Sequence, residues 1–168
     1  MASYMNFSFE AMGKRMKLIL RLLTVFLVVG FISFCLVQES KAELNVVQDI
    51  RLSAEQGDAT AQYYLGLMYY EGESLQQDFQ KATYWFTKAA EQGFWHAQRG
   101  LGMVYSEGKG VLQDYVMAYA WFEVAASQGD SSAKNLRDDI IEEMSQNQIE
   151  EGQKLSKELH EKIYNKAK

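Results

Sequence analysis

Residues 54–89 read AEQGDATAQYYLGLMYYEGESLQQDFQKATYWFTKA, and residues 90–125 follow without a gap as AEQGFWHAQRGLGMVYSEGKGVLQDYVMAYAWFEVA. One 36-residue unit is therefore written twice. ASQGDSSAKNL at 126–136 opens a third unit before the pattern fades. A period of roughly 20–50 residues builds a solenoid or an array, because a single unit cannot cover its own apolar face.

The recurring positions say what each unit is. Ala61/Ala97, Leu65/Leu101, Gly66/Gly102 and Tyr69/Tyr105 fall on one side of a helix at about 100° per residue. Ala82/Ala118, Trp85/Trp121, Phe86/Phe122 and Ala89/Ala125 are spaced i, i+3, i+4, i+7, which is a second amphipathic helix. Nothing alternates with period two, so a strand is excluded. Asp78 and Asp114 stand where a carboxylate can cap the second helix, while Gly72 and Gly108 end the first. Gly93 and Gly129 close the second helix, and Gly57 holds the matching place ahead of the first full unit. Gly66 and Gly102 each weaken an isolated helix by roughly 1 kcal/mol relative to Ala, which implies a close helix–helix contact. The fold class is all-α: an α/α superhelical solenoid of helical hairpins, with two full repeats, a partial third and capping helices.

The run A-Q-x-x-L-G-x-x-Y-x-x-G, then Q-D, then A-x-x-W-F-x-x-A-A-x-Q-G resembles the Sel-one-like repeat family, relatives of the tetratricopeptide repeat. The likeness covers residues 53–135. It implies a right-handed superhelix that serves as a scaffold for protein–protein contacts. Some secreted members of that family pin each hairpin with a disulfide. The repeats here contain no cysteine, so nothing tied to that subgroup carries over.

Residues 1–42 read as a secretory leader, with 1–15 as a start-site artefact because Met16-Lys17 would itself begin a conventional signal. Lys14, Arg15, Lys17 and Arg21 precede the apolar run 22–37, and Ser40-Lys41-Ala42 offers small residues at a cleavage site. This places the mature chain, 43–168, in the periplasm or outside the cell. The alternative is a retained inner-membrane anchor over 18–37, the chain's one route to a membrane. Residues 43–56 form a lone capping helix, with Val46 and Ile50 at the places of Ala82 and Phe86. Residues 130–144 form a third first-type helix, with Asp138 where the helical glycines stood and Ile141 where the tyrosines stood. Ser145 and Gln148 make a capping box for a helix over about 146–165. Its apolar positions Ile149, Leu155, Leu159 and Ile163 seal the last open face, and the tail 160–168 frays.

The mature chain has 12 basic and 20 acidic residues, a formal net charge of −8. Nucleic-acid binding requires a basic footprint, so DNA and RNA are excluded as partners. His96 and His160 lie in no metal-binding spacing, and no cofactor or nucleophile motif occurs, so no catalytic, cofactor or metal residues are expected. Asp138-Asp139 and Glu142-Glu143 could act as an acid–base pair on an envelope polymer, although a solvated acidic face is the plainer reading. A partner surface is the better candidate. Tyr63, Leu67 and Tyr70 lie opposite the buried stripe of the first helix. Arg99, Met103 and Ser106 hold the same places in the second unit, with His96 one turn before Arg99. Asn135, Asp139 and Glu142 hold them in the third. These residues form a groove graded from aromatic to acidic, unless the tyrosines are covered by the amino-terminal helix. The expected function is a non-enzymatic scaffold in the cell envelope that binds a peptide or protein through Tyr63, Leu67, Tyr70, His96, Arg99 and Met103. An array this short would gain affinity by self-association.

Shared aromatic positions must carry the core. Trp85→Ala or Trp121→Ala should each largely unfold the array, because truncating a buried aromatic costs roughly 3–5 kcal/mol against a total of about 5–15 kcal/mol; thermal melting followed by circular dichroism checks this.

Overall fold

The structure, a computed structural model, describes residues 45–165, so the leader at 1–42 and the last three residues lie outside the described residues. Residues 45–55 are helical (α1). They are followed by α2 (Ala59–Glu71), α3 (Phe79–Ala90), α4 (Trp95–Glu107), α5 (Tyr115–Ser127), α6 (Ser131–Ile141) and α7 (Gln146–Tyr164). No strand occurs among the described residues. α2 pairs with α3 and α4 with α5 as hairpins, and each second helix also packs on the first helix of the next unit.

The Q-D pair at the hairpin turn has a mechanical role. A helix leaves its last carbonyls and first amides without partners. Gln77 Nε2 donates to the Tyr70 carbonyl at 2.9 Å, and Gln113 Nε2 donates to the Ser106 carbonyl at 2.7 Å. Asp78 and Asp114 then accept from the backbone of Lys81 and Met117, capping α3 and α5. Gly72 and Gly108 end the first helices in the left-handed region, at φ 77° and 68°.

Gly66 and Gly102 explain how closely the hairpins shut. A methyl group on Gly66 would lie 2.7 Å from the Phe86 ring, and one on Gly102 would lie 2.4 Å from the Phe122 ring. Each ring thus lies flush against its partner helix. The main core gathers Ala82, Phe86 and Ala89 of α3, Ala97 and Leu101 of α4, and Trp121 of α5. Trp85 makes the equivalent contact with Ala54, Ala61 and Leu65, but it is only half-buried, whereas Trp121 is 5% exposed. The two tryptophans are therefore unequal members of the core.

Neighbouring units are also joined by glutamines. Gln62 Nε2 donates to the Ala54 carbonyl at 3.1 Å, and Gln98 Nε2 donates to the Ala90 carbonyl at 3.2 Å. Gln92 Nε2 donates to Gln62 Oε1, and Gln128 Nε2 to Gln98 Oε1, both at 2.7 Å. Gln62 and Gln98 are buried, so these bonds satisfy amides that water does not reach. Lys134 takes the corresponding place in the third unit, and the ladder stops there.

The carboxyl-terminal third departs from expectation. α6 ends at Ile141 rather than Met144, and α7 lies along α5, not against α6. Gly152 marks the close approach, where a methyl group would stand 2.7 Å from the Tyr119 ring. No ring presses on α6 at position 138, so glycine is not required there. Asp138 is exposed and pairs with Arg137 at 2.6 Å. The capping box is formed, with Ser145 N donating to Gln148 Oε1 at 2.9 Å. The end of α7 is tied down rather than frayed. Tyr164 Oη lies 3.1 Å from Gln98 Nε2 and donates to the Gly93 carbonyl at 3.4 Å, and Lys162 pairs with Glu91 at 2.9 Å. At the other end Val47 is buried where Val46 was expected, with Val46 54% exposed, while Ile50 packs against Ala54, Ala61 and Leu65.

Two stability outcomes are expected from this packing. In urea titrations, Trp121→Ala should lower the unfolding midpoint well beyond Trp85→Ala, because truncation costs scale with the apolar contact removed. Gly102→Ala should destabilise by roughly 1–3 kcal/mol from overpacking, exceeding the gain of about 1 kcal/mol in helix propensity. Gly100→Ala, whose methyl would stand 3.3 Å from the Phe86 ring, should cost less.

Candidate functional site

α2 and α4 are the first helices of successive units, and residues of both line a cavity of about 220 Å3. Tyr63, Leu67 and Tyr70 line it from α2, and His96, Arg99 and Met103 line it from α4. The groove lies between two helices of like type, so side chains four and seven residues apart on each helix face their counterparts. Phe86 of α3 and Gly100 of α4 form its floor. With no side chain at Gly100, the Phe86 ring lies directly under the opening. All six sequence-derived residues are half-buried and meet in this one place. Asn135, Asp139 and Glu142 of the third unit are exposed and are not part of the lining. The expected aromatic-to-acidic gradient therefore stops after two units. The tyrosines face α4 and are not buried under α1.

Tyr70 and Arg99 are held by neighbouring side chains, and Tyr63 and His96 by ring contacts. The Tyr63 ring sits 5.9 Å from Phe86, 5.4 Å from Phe94 and 5.5 Å from His96. Burial raises its hydroxyl pKa above 10.0, against the pull of the Arg99 charge. Tyr70 packs edge-on to Phe79 at 5.4 Å and donates its hydroxyl hydrogen to Glu107, while Lys109 Nζ donates to the Tyr70 hydroxyl at 3.2 Å. Lys109 and Glu107 form an ion pair at 2.8 Å across this end. Arg99 Nη1 reaches both oxygens of Asp130, at 2.9 and 3.1 Å. Asp130 is itself buried and accepts from the amides of Ser132 and Ala133, so it caps α6 while it anchors the guanidinium. His96 stacks on Trp95 with ring centroids 3.4 Å apart, and its buried Nδ1 has no hydrogen-bond partner.

A second cavity of about 320 Å3 lies between α5 and α7. Glu123, Ser127, Lys157, His160 and Glu161 are among its lining residues, so its walls are mostly polar, and no Phe, Tyr or Trp lines it. Among the described residues no group of His, Cys, Asp and Glu side chains is placed to hold a metal ion. No described helix is long and apolar enough to cross a membrane.

The Sel1 repeat family profile matches residues 59–94 and 95–130. Residues 59–130 are thus two Sel1 repeats. The matches begin at the first residues of α2 and α4, five residues later than the units at 54 and 90, with the same 36-residue period. The chain is similar to sel1-like repeat-containing protein L18 of Acanthamoeba polyphaga mimivirus, with 48% identity over 42 residues, 25% of this chain and 7% of that protein. Among solved structures it resembles c5321, a protective antigen present in uropathogenic Escherichia coli strains with an SLR fold. That match has a TM-score of 0.69 and 34% identity, and covers 72% of this chain and 26% of that one. It also resembles a Sel1 repeat protein from Oxalobacter formigenes, with a TM-score of 0.51, 38% identity, and 55% and 37% of the two chains covered. The chain thus spans only a small part of these relatives. Sel1-repeat proteins are generally protein-interaction scaffolds.

Within this Sel1 hairpin pair, the residues that sequence reasoning missed are the supports. Phe86 is counted with the core, and Asp130 is read only as the first residue of the third unit's helix. One signal pointed to Asp130: a half-buried Arg99 replaces an aromatic of the first unit, and such a charge needs a counter-charge.

Burial, reinforced by the Arg99 charge and opposed by Asp130, lowers the His96 pKa below 6.5. The folded state therefore binds fewer protons at His96 than the unfolded state, and the linked stability is present above about pH 6.5 and lost as pH falls below it. Urea midpoints measured from pH 7.5 to 5.5 should decline, and His96→Phe should flatten that decline.

Proposed function

We propose that this chain is a non-enzymatic scaffold of the cell envelope that holds a segment of a partner protein in the groove between α2 and α4. The observation that carries this reading is convergence. Tyr63, Leu67, Tyr70, His96, Arg99 and Met103 line one cavity over an aromatic floor. Half-buried aromatic, Met and Arg side chains are the types that anchor partners. Arg99 is already fixed by Asp130, and Tyr70 by Glu107 and Lys109, so these two lose little side-chain freedom on docking. The two Sel1 repeats support the same reading, since proteins built from them are generally interaction scaffolds. Two repeats offer a small surface, and self-association would raise avidity. The basic stretch 14–21, the apolar run 22–37 and the Ser40-Lys41-Ala42 site support export and removal of the leader.

Tyr70 and Arg99 carry hydrogen bonds and Tyr63 a cluster of ring contacts, whereas Leu67 and Met103 make only partly buried apolar contacts, so they are the better probes. The double variant Leu67→Gln, Met103→Gln should keep the helical circular-dichroism spectrum and lose proteins co-purified from an envelope fraction. Retention of the same partners would refute the groove. Intact-mass measurement of protein recovered from the native envelope should give a chain beginning at Glu43.

A further inference from the structure

We propose that the groove selects a peptide segment in which a large apolar side chain is followed, toward the Arg99 end, by an acidic residue within two positions. The inference rests on the reading that this groove is the docking site, and it specifies what the groove accepts.

The cavity, about 220 Å3 over the Phe86 ring, takes one large apolar side chain between Leu67 and Met103. Its two charged lining residues lie at opposite ends. Arg99 stands beside Tyr63 and His96, near the starts of α2 and α4. Glu71 is exposed beside Tyr70, near their ends. At the Glu71 end Lys109 is already satisfied by Glu107 and Tyr70, so Glu71 leaves that end negative. A carboxylate is repelled there and attracted at Arg99.

Arg99 remains able to bind a second carboxylate. Its contacts to Asp130 run through Nη1 alone, and a guanidinium carries five N–H donors in a planar fork. Asp130 also accepts from the Ser132 and Ala133 amides at the positive end of α6, so it is fixed in place and orients Arg99 through Nη1, which leaves Nε and Nη2 without a bond to Asp130. Asp130 is a positioning residue and Arg99 the recognition residue. The rest of the chain is acidic and repels a uniformly acidic partner. The fitting segment therefore carries its carboxylate at this one place and is neutral or basic elsewhere.

The test is selection of phage-displayed random dodecapeptides on the full-length chain, followed by fluorescence anisotropy with the enriched peptides. Enriched peptides should carry Asp or Glu within two residues of Leu, Ile, Met, Phe or Trp. Changing that acidic residue to its amide should weaken binding about tenfold at low salt, the scale of one charge-assisted hydrogen bond. The difference should vanish in Arg99→Gln. It should persist in Asp130→Asn, which keeps a helix cap and leaves the guanidinium in place. Because the acid–amide comparison is made on the unaltered protein, instability of a variant does not obscure it. Peptides that bind, lose binding in Leu67→Gln, Met103→Gln, and yet show no preference for the acid over the amide overturn this inference and leave the docking site standing. No enriched peptide, or binding unchanged in that double variant, overturns both.

Discussion

The whole array depends on a phenylalanine ring lying flat against a helix that has no side chain at the point of contact. Phe86 meets α2 at Gly66, and Phe122 meets α4 at Gly102. That close approach sets the distance between the two helices of each hairpin. It also leaves the small residues Ala82, Ala89, Ala118 and Ala125 fully buried, with no space for larger ones. A glycine within a helix is unfavourable on its own, and here the dispersion contacts of a buried ring offset that cost. Phe86 has a further role, because its other side reaches Gly100 of the next unit and floors the groove.

The repetition ends where this contact ends. The buried glutamine ladder joins the first two units to each other and to the start of the third, and Lys134 cannot continue it. α7 then lies on α5 through a different glycine, Gly152, packed against Tyr119. Its carboxyl-terminal end reaches Gln98 and Gly93 through Tyr164, so the last helix closes onto the second unit. α6 is left as a single helix whose outer face carries exposed acidic side chains. The acidic run at 138–143 is thus a solvated edge of the array, and the third unit adds nothing to the groove except Asp130, which holds Arg99 from outside it.

Part of the groove was readable from the residues. Positions opposite the buried stripe of α2 and α4 had to face outward, and aromatic, Met and Arg side chains there marked a surface with a use. Depth and polarity were not readable. Both depend on Phe86, whose recurring position marks it as core, and on Asp130, which lies 31 residues from Arg99 in the next unit.

Residue order by itself determined that the chain is a helical repeat, where each hairpin begins and ends, and which residues face the core. Those features are local: helical period, caps and turn glycines act over fewer than about ten residues and recur at each copy. Only the tertiary structure decided that α7 lies on α5, that Trp121 is more deeply buried than Trp85, and that Arg99 is anchored by the third unit. Each of these is a contact between segments far apart in the chain. Its geometry is set by how the stacked units meet, which no local pattern encodes.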